Sequence, residues 1–326
     1  MKVLVTGSLG LVGSEAVRFY LDRGHTVIGV DNNMRSKFFG PEGSGLKNDI
    51  EHENYVRYHM DISGAGVLVQ DLKPDAIIHC AAQPSHDWAA KDPVTDFNVN
   101  AYGTLILLEA CRHFCPDAVF IQVSTNKVYG DRPNKLKFEE LPTRYEADIE
   151  GISESMSVDD CTHSLFGVSK LSGDLLAQEY GRYFDMKVGI FRCGCITGRA
   201  HAGVEMHGFL SYLVRCSKEN KTYKIYGYKG KQVRDNIHAF DLVNAFDHFI
   251  QSPRCGEVYN MGGGRHSNIS VLEAIDKLGV RFEYVNRPRV GDHIWYISDV
   301  TKFKSHYPKW SYTYSLEDIL EDLISA

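Results

Sequence analysis

The stretch Gly7-Ser8-Leu9-Gly10-Leu11-Val12-Gly13 decides the fold. Before it, an apolar run predicts a strand over Met1–Gly7. After it, Leu11, Val12, Ala16, Phe19, Tyr20 and Leu21 recur at helical spacing and predict a helix over Gly10–Arg23. Glycines let the backbone turn tightly and approach a pyrophosphate, and the helix N-terminus adds free N–H groups and a favourable dipole. A second strand, Thr26–Asp31, ends in a carboxylate. Asp31 is placed to accept hydrogen bonds from adenosine ribose hydroxyls and to repel a 2′-phosphate, which favours NAD over NADP. Arg35 nearby keeps NADP as the alternative.

Working outward, the alternation continues. Strands are expected at Tyr55–His59, Ala76–Ala81 and Val119–Ser124, and helices around Val67–Leu72 and over Val99–Phe114. This order implies an α/β fold, a doubly wound parallel sheet with helices on both faces. From about Thr197 the alternation weakens. Helices at His207–Cys216 and Val271–Leu278 and short strands at Lys221–Tyr228 and Val280–Val285 indicate a smaller C-terminal α+β region. Asn236–Ile250 reads as another helix of the main layer. The expected division is therefore 1–192 plus about 234–262 for the dinucleotide, and about 193–233 plus 263–326 for the substrate. Gly40–Gly45 and Arg144–Asp160 read as loops, the second long enough to be functional.

Composition narrows the classes. The chain has 326 residues, 43% hydrophobic and 24% charged, with net charge −6 and no basic block, so nucleic acid is not an expected partner. No apolar run reaches the roughly 18 residues that span a membrane, and no cleavable signal precedes the first strand. The eight cysteines form no Cys-x-x-Cys pair and read as reduced thiols of a cytoplasmic protein rather than a zinc site.

Several segments match a known family together: Gly7–Gly13, Asp31, Asp61-Ile62, Ser124-Thr125-Asn126-Lys127-Val128-Tyr129-Gly130 and Gly167-x-x-Lys170. Gly230-Lys231-Gln232-Val233-Arg234-Asp235, Asn260-Met261-Gly262-Gly263 and Arg289-Val290-Gly291-Asp292 carry the match almost to the C-terminus. The chain resembles the extended short-chain dehydrogenases that act on nucleotide sugars, an NAD-dependent epimerase and dehydratase family, and within it the CDP-paratose 2-epimerases most. The resemblance implies a tightly held NAD, transient oxidation of a sugar alcohol to a ketone and hydride return, with C2 of a CDP-hexose favoured over C4 epimerisation or net dehydrogenation. It also implies a homodimer built on Val99–Phe114 and Phe166–Phe184, whose apolar faces fit the core of one chain equally well.

Residue by residue, the resemblance places Gly7, Leu9, Gly10, Leu11 and Gly13 under the cofactor, with Asp31 and Asn32 at its ribose and Asp61 and Ile62 at the adenine edge. Ala81, Ala82, Gln83, Asn100 and Cys193 line its path, with buttressing the sheet or capping the next helix as the alternatives for Asn98 and Asn100. Ser124 or Thr125 would contact the reacting hydroxyl, and Lys170 the nicotinamide ribose. Arg234 and Arg289 would clamp the diphosphate, a task suited to the guanidinium fork. Lys127, Cys195, His207 and Asp292 complete the expected substrate contacts. Dehydratases of the family often carry an acid where Lys127 stands, so the lysine argues against sugar dehydration. Tyr129 reads as structural. His201, Glu205 and His207 cluster as pocket lining rather than as metal ligands.

One position departs from the family. His163-Ser164-Leu165-Phe166-Gly167-Val168-Ser169-Lys170 has Tyr-x-x-x-Lys spacing with phenylalanine in place of the tyrosine. Phenylalanine keeps the ring and removes the proton acceptor. Three readings stand open: an enzyme with another base, a substituted chain that traps substrate, or a binding protein without chemistry. His86 is the candidate base, since imidazole titrates near neutral pH; His163, Ser164 and Cys195 are alternatives.

Overall fold

The computed structural model describes residues 1–201, 203, 208–285 and 291–326. Seven strands form one parallel sheet: β1 (Lys2–Thr6), β2 (Thr26–Val30), β3 (Tyr55–Tyr58), β4 (Ala76–His79), β5 (Val119–Thr125), β6 (Val188–Cys193) and β7 (Glu257–Met261). Their spatial order is β7-β6-β5-β4-β1-β2-β3, so the direction of winding reverses beside β1. Register pairs Val5 with Gly29 on one side and with Ile78 on the other.

Both faces of this sheet are covered, which is why runs such as Val3-Leu4-Val5 and Ala76-Ile77-Ile78 are apolar without alternation. On one face Val3, Val5 and Ile121 pack with helices α1 (Leu11–Leu21) and Ala239–Gln251. On the other, Leu4, Ile77 and Phe120 pack with α2 (Gly66–Leu72), α3 (Gly103–Phe114) and α4 (Leu165–Tyr183). A separate core joins α5 (Phe209–Lys218), the strand Tyr223–Tyr226, α7 (Val271–Leu278) and α8 (Leu316–Ser325), with Ala239–Gln251 taken as α6.

Three expected elements differ. Asn236–His238 extend a strand, Val233–His238, which pairs with Cys195–Thr197; α6 starts only at Ala239, capped by the His238 ring accepting from the Phe240 N–H. The helix expected from Val99 begins with a wide turn, Asn98–Tyr102, because Asn100 is tied into a buried side-chain network. Tyr145–Ala147, expected as loop, pairs antiparallel with Phe138–Glu140. The helix expected from His207 is described from Phe209; His207, Glu205 and Arg289 lie outside the described residues.

Candidate functional site

A cavity of about 490 Å³ runs along the carboxyl ends of β1, β2, β4, β5 and β6. This is the edge where parallel sheets of this kind bind ligands. Its floor is the glycine turn. Gly7 has φ +70° and donates its N–H to Val30 O at 2.7 Å. A Cβ on Gly13 would lie 2.0 Å from Gly7 O, so the turn and α1 close together only without a side chain there. Among the described residues no side chain caps α1 at Gly10, and Gly10, Leu11 and Gly13 line the cavity, leaving the helix N-terminus turned toward a ligand.

Asp31 follows β2. Its two oxygens accept from the Leu9 N–H (3.0 Å) and the Asn33 N–H (2.7 Å), which fixes the carboxylate at the cavity wall with lone pairs to spare. Asn32 donates to Asp61 at 2.9 Å, and Asp61 caps the turn Ile62–Gly64. Asp31, Asn32, Asp61 and Ile62, with Leu9, Ala81, Ala82 and Cys193, all line the cavity. Gln83 and Asn100 do not. Gln83 donates its N–H to Asn100 Oδ1 (2.9 Å), and both amides donate to the Asp96 carboxylate. Their amides are consumed by one another, so they brace the wall from behind.

Helix α4 presents Phe166, Lys170 and Asp174 on one face, at successive helical turns. Lys170 donates to Val123 O at 2.8 Å. Burial pushes its ammonium pKa down, opposed by Cys193, Asp174, Cys80 and Asp96. Burial also pushes the Cys80 thiol up to about 12 and Cys195 to about 11, which makes both inert hydrophobes rather than nucleophiles. Ser124 donates its hydroxyl hydrogen to Asp174 at 2.6 Å. Asp174 also receives a two-point contact from Arg192 (3.0 and 2.8 Å), and Arg192 continues to the Tyr129 hydroxyl. Ser124 is 4% exposed and spent on this buried chain, whereas Thr125, next on the strand, is partly open to the cavity. The Thr125 hydroxyl accepts from the Lys127 N–H at 3.3 Å.

Sequence reading missed Asp174 and Arg192. The signal was the one-turn spacing from Lys170 to Asp174. Tyr129 is structural as expected: fully buried, its hydroxyl donates to Asn260.

Phe166 is packed against His86, with ring centroids 4.8 Å apart. His86 opens a short helix, His86–Lys91, capped by Ser85. Beside this pair, Lys127 Nζ donates to Gly291 O (2.9 Å) and lies 4.0 Å from Asp292. Asp292 accepts from Arg234 at 2.6 Å. His86, Thr125, Lys127, Phe166, Lys170, Cys195, Arg234 and Asp292 therefore share one cavity with the glycine turn.

The reversed winding, the uncapped glycine turn and a lysine one turn from the residue facing the reaction centre define a short-chain dehydrogenase of the extended type, and the glycine turn and Asp31 fit NAD. Residues 3–262 match the NAD dependent epimerase/dehydratase family. The chain belongs to this family, and it is an enzyme that uses NAD. It is 30% identical to CDP-paratose 2-epimerase of Salmonella typhi, covering 98% of this chain and 96% of that protein. It is 30% identical to dTDP-glucose 4,6-dehydratase 1 of Escherichia coli K12, over 84% of this chain and 76% of that one. A solved structure of a tyrosine-to-phenylalanine mutant of UDP-glucuronic acid 4-epimerase from Bacillus cereus, in complex with NAD and a fluorinated UDP-sugar, superimposes with TM-score 0.82 at 25% identity. That alignment covers 100% of this chain and 98% of the other.

Proposed function

We propose that the chain epimerises a nucleotide-activated hexose, with C2 of a CDP-sugar as substrate carbon, by transient oxidation and hydride return. The observation that carries this reading is the single cavity that joins the glycine turn and Asp31 to Thr125, Lys170 and Arg234. The end-to-end similarity to a CDP-paratose 2-epimerase supports the CDP-sugar. Lys127, standing where dehydratases often carry an acid, weighs against dehydration.

NAD supplies a hydride acceptor that becomes the donor for the return. The residues of this chain bind, orient and manage the proton. Gly7, Gly10, Gly13, Asp31 and Lys170 hold the cofactor. Arg234 takes the diphosphate, with Arg289 as its expected partner. Thr125 hydrogen-bonds the reacting hydroxyl, and Ser124 steadies the strand end by its bond to Asp174. His86, against the ring of Phe166, takes the hydroxyl proton and returns it, so no net proton is consumed.

The division into a cofactor-binding part (1–192 with about 234–262) and a nucleotide-sugar part (about 193–233 with 263–326) belongs to this proposal. So does a homodimer, supported by the exposed apolar side chains Val94, Phe97, Tyr102, Leu165, Val168 and Leu175 beside α3 and α4. A cytoplasmic setting is supported by eight free cysteines. No helix of the described residues is long and apolar enough to cross a membrane. Phe166 favours a second reading, a member of this family whose missing phenol leaves the nucleotide sugar bound and not turned over.

Proton NMR of the purified protein with CDP-glucose, CDP-paratose, UDP-glucose and GDP-mannose, without added NAD, separates the two. A new anomeric signal in a CDP-sugar sample is expected, and its couplings identify the inverted carbon. Unchanged spectra in all four samples would support the binding protein.

A further inference from the structure

Gln232, Arg234 and Asn236 alternate along one stretch of chain, and all three line the cavity. Arg234 and Asn236 lie in the strand Val233–His238 and Gln232 immediately precedes it; alternate residues of extended backbone share a face, about 6.6 Å apart. All three are at least nine-tenths buried. Arg234 is engaged, donating to Val233 O and to Asp292. Among the described residues, the amide oxygens Gln232 Oε1 and Asn236 Oδ1 have no hydrogen-bond partner. An unpaired buried polar atom costs free energy that a ligand donor can recover.

The strand has a direction relative to the reaction centre. Asn236 pairs with Cys195, just beyond Cys193, which in turn pairs with Thr125. The Asn236 end therefore faces the reacting groups. The Gln232 end faces away, toward the cavity wall formed by Tyr223, Ile225 and Val271; Val271 donates its N–H to Gln232 O. A nucleotide sugar is ordered in the same way: hexose at the reaction centre, diphosphate in the middle, nucleoside beyond.

We propose that Gln232 reads the pyrimidine base of the substrate, one strand step beyond the diphosphate at Arg234. This rests on the nucleotide-sugar reading above. A carboxamide presents one acceptor and one donor side by side, which matches the adjacent amino donor and ring-nitrogen acceptor of cytosine. Tyr223, Ile225 and Val271 supply the apolar surroundings in which such a pair discriminates.

The experiment is calorimetric titration of the NAD-loaded protein and of Gln232→Met and Gln232→Glu with CDP, 2′,3′-dideoxy-CDP and pyrophosphate. Retained NAD in each variant shows that it is folded. The proposal expects both substitutions to weaken CDP roughly tenfold or more, to weaken dideoxy-CDP by the same factor, and to leave pyrophosphate unchanged. Unaltered CDP affinity in Gln232→Met would overturn it. So would a loss seen with CDP and absent with dideoxy-CDP, since Gln232 would then read a ribose hydroxyl. Wild-type protein that binds CDP no better than pyrophosphate would instead overturn the nucleotide-sugar reading itself.

Discussion

The cofactor end and the reaction end of the cavity are built by different means. At the cofactor end, Gly7 to Gly13 and Asp31 meet across a single strand–helix–strand unit, and their geometry is dictated by backbone: a positive φ at Gly7, no room for a Cβ at Gly13, and backbone N–H groups on Asp31. At the reaction end, Thr125, Phe166, His86 and Asp292 come from four separate segments and line one cavity, with the His86 and Phe166 rings packed together. The first end tolerates almost no change in residue type. The second can exchange a phenol for a phenyl ring and still fold, because α4 keeps the same packing face.

Substitutions probe this contrast. The broadest effect is expected at Gly13→Ala, on fold and cofactor together. The added methyl would collide with Gly7 backbone, destabilising the protein by about 3 kcal/mol or more and expelling NAD. Thermal unfolding and assay of released dinucleotide measure both, and a stable variant that keeps NAD would break the argument for the cofactor end. His86→Ala should lower turnover by about 10²- to 10⁴-fold with NAD still bound. Full activity would leave His86 as cavity lining and the proton unassigned.

Two buried groups, one on each side of the contrast, should show opposite pH responses. His79 lies under the cofactor end between Thr6 and Thr104, and burial, reinforced by Lys170, holds it down to about 3. Its folded pKa is below the unfolded value of 6.5. Its contribution is thus present above 6.5 and lost as pH falls, about 4 kcal/mol by pH 3. Asp235 lies behind Gly194 at the reaction end, and burial raises it to about 6 despite N–H bonds from Ser298 and Gly264. Its contribution is present below 3.8 and lost as pH rises through 6, about 3 kcal/mol. Denaturant titrations from pH 3 to 8 on His79→Gln and Asp235→Asn should flatten opposite limbs of the stability profile; two variants parallel to wild type would refute both assignments.

Of these effects the smallest is expected at Arg234→Ala, a loss of about 2 kcal/mol in CDP affinity for removing a charge-assisted contact. Unchanged binding would move the diphosphate elsewhere.

How much could be read beforehand follows the same division. The parallel sheet, α1 and Asp31 were legible because glycine spacing and apolar runs are local signals. The start of α6 was not, because Asn236–His238 is held as strand by pairing with Cys195–Thr197, a contact between distant segments. Gln83, from its place after β4, and Asn100 were assigned to the cofactor, yet their amides are spent on each other and on Asp96. Ser124 and Thr125 were inseparable by sequence; Asp174, across the sheet face, distinguishes them. His207 and Arg289 lie outside the described residues.

The central claim is that this chain performs hydride chemistry without a phenol at position 166. The most direct measurement is the absorbance of reduced nicotinamide in the NAD-loaded protein after addition of a CDP-hexose, beside Phe166→Tyr. The account predicts a small reduced fraction in the wild type, with isomerised sugar released, and a faster approach to the same equilibrium in the tyrosine variant. No reduced nicotinamide and no isomer in the wild type, with both present in Phe166→Tyr, would contradict it.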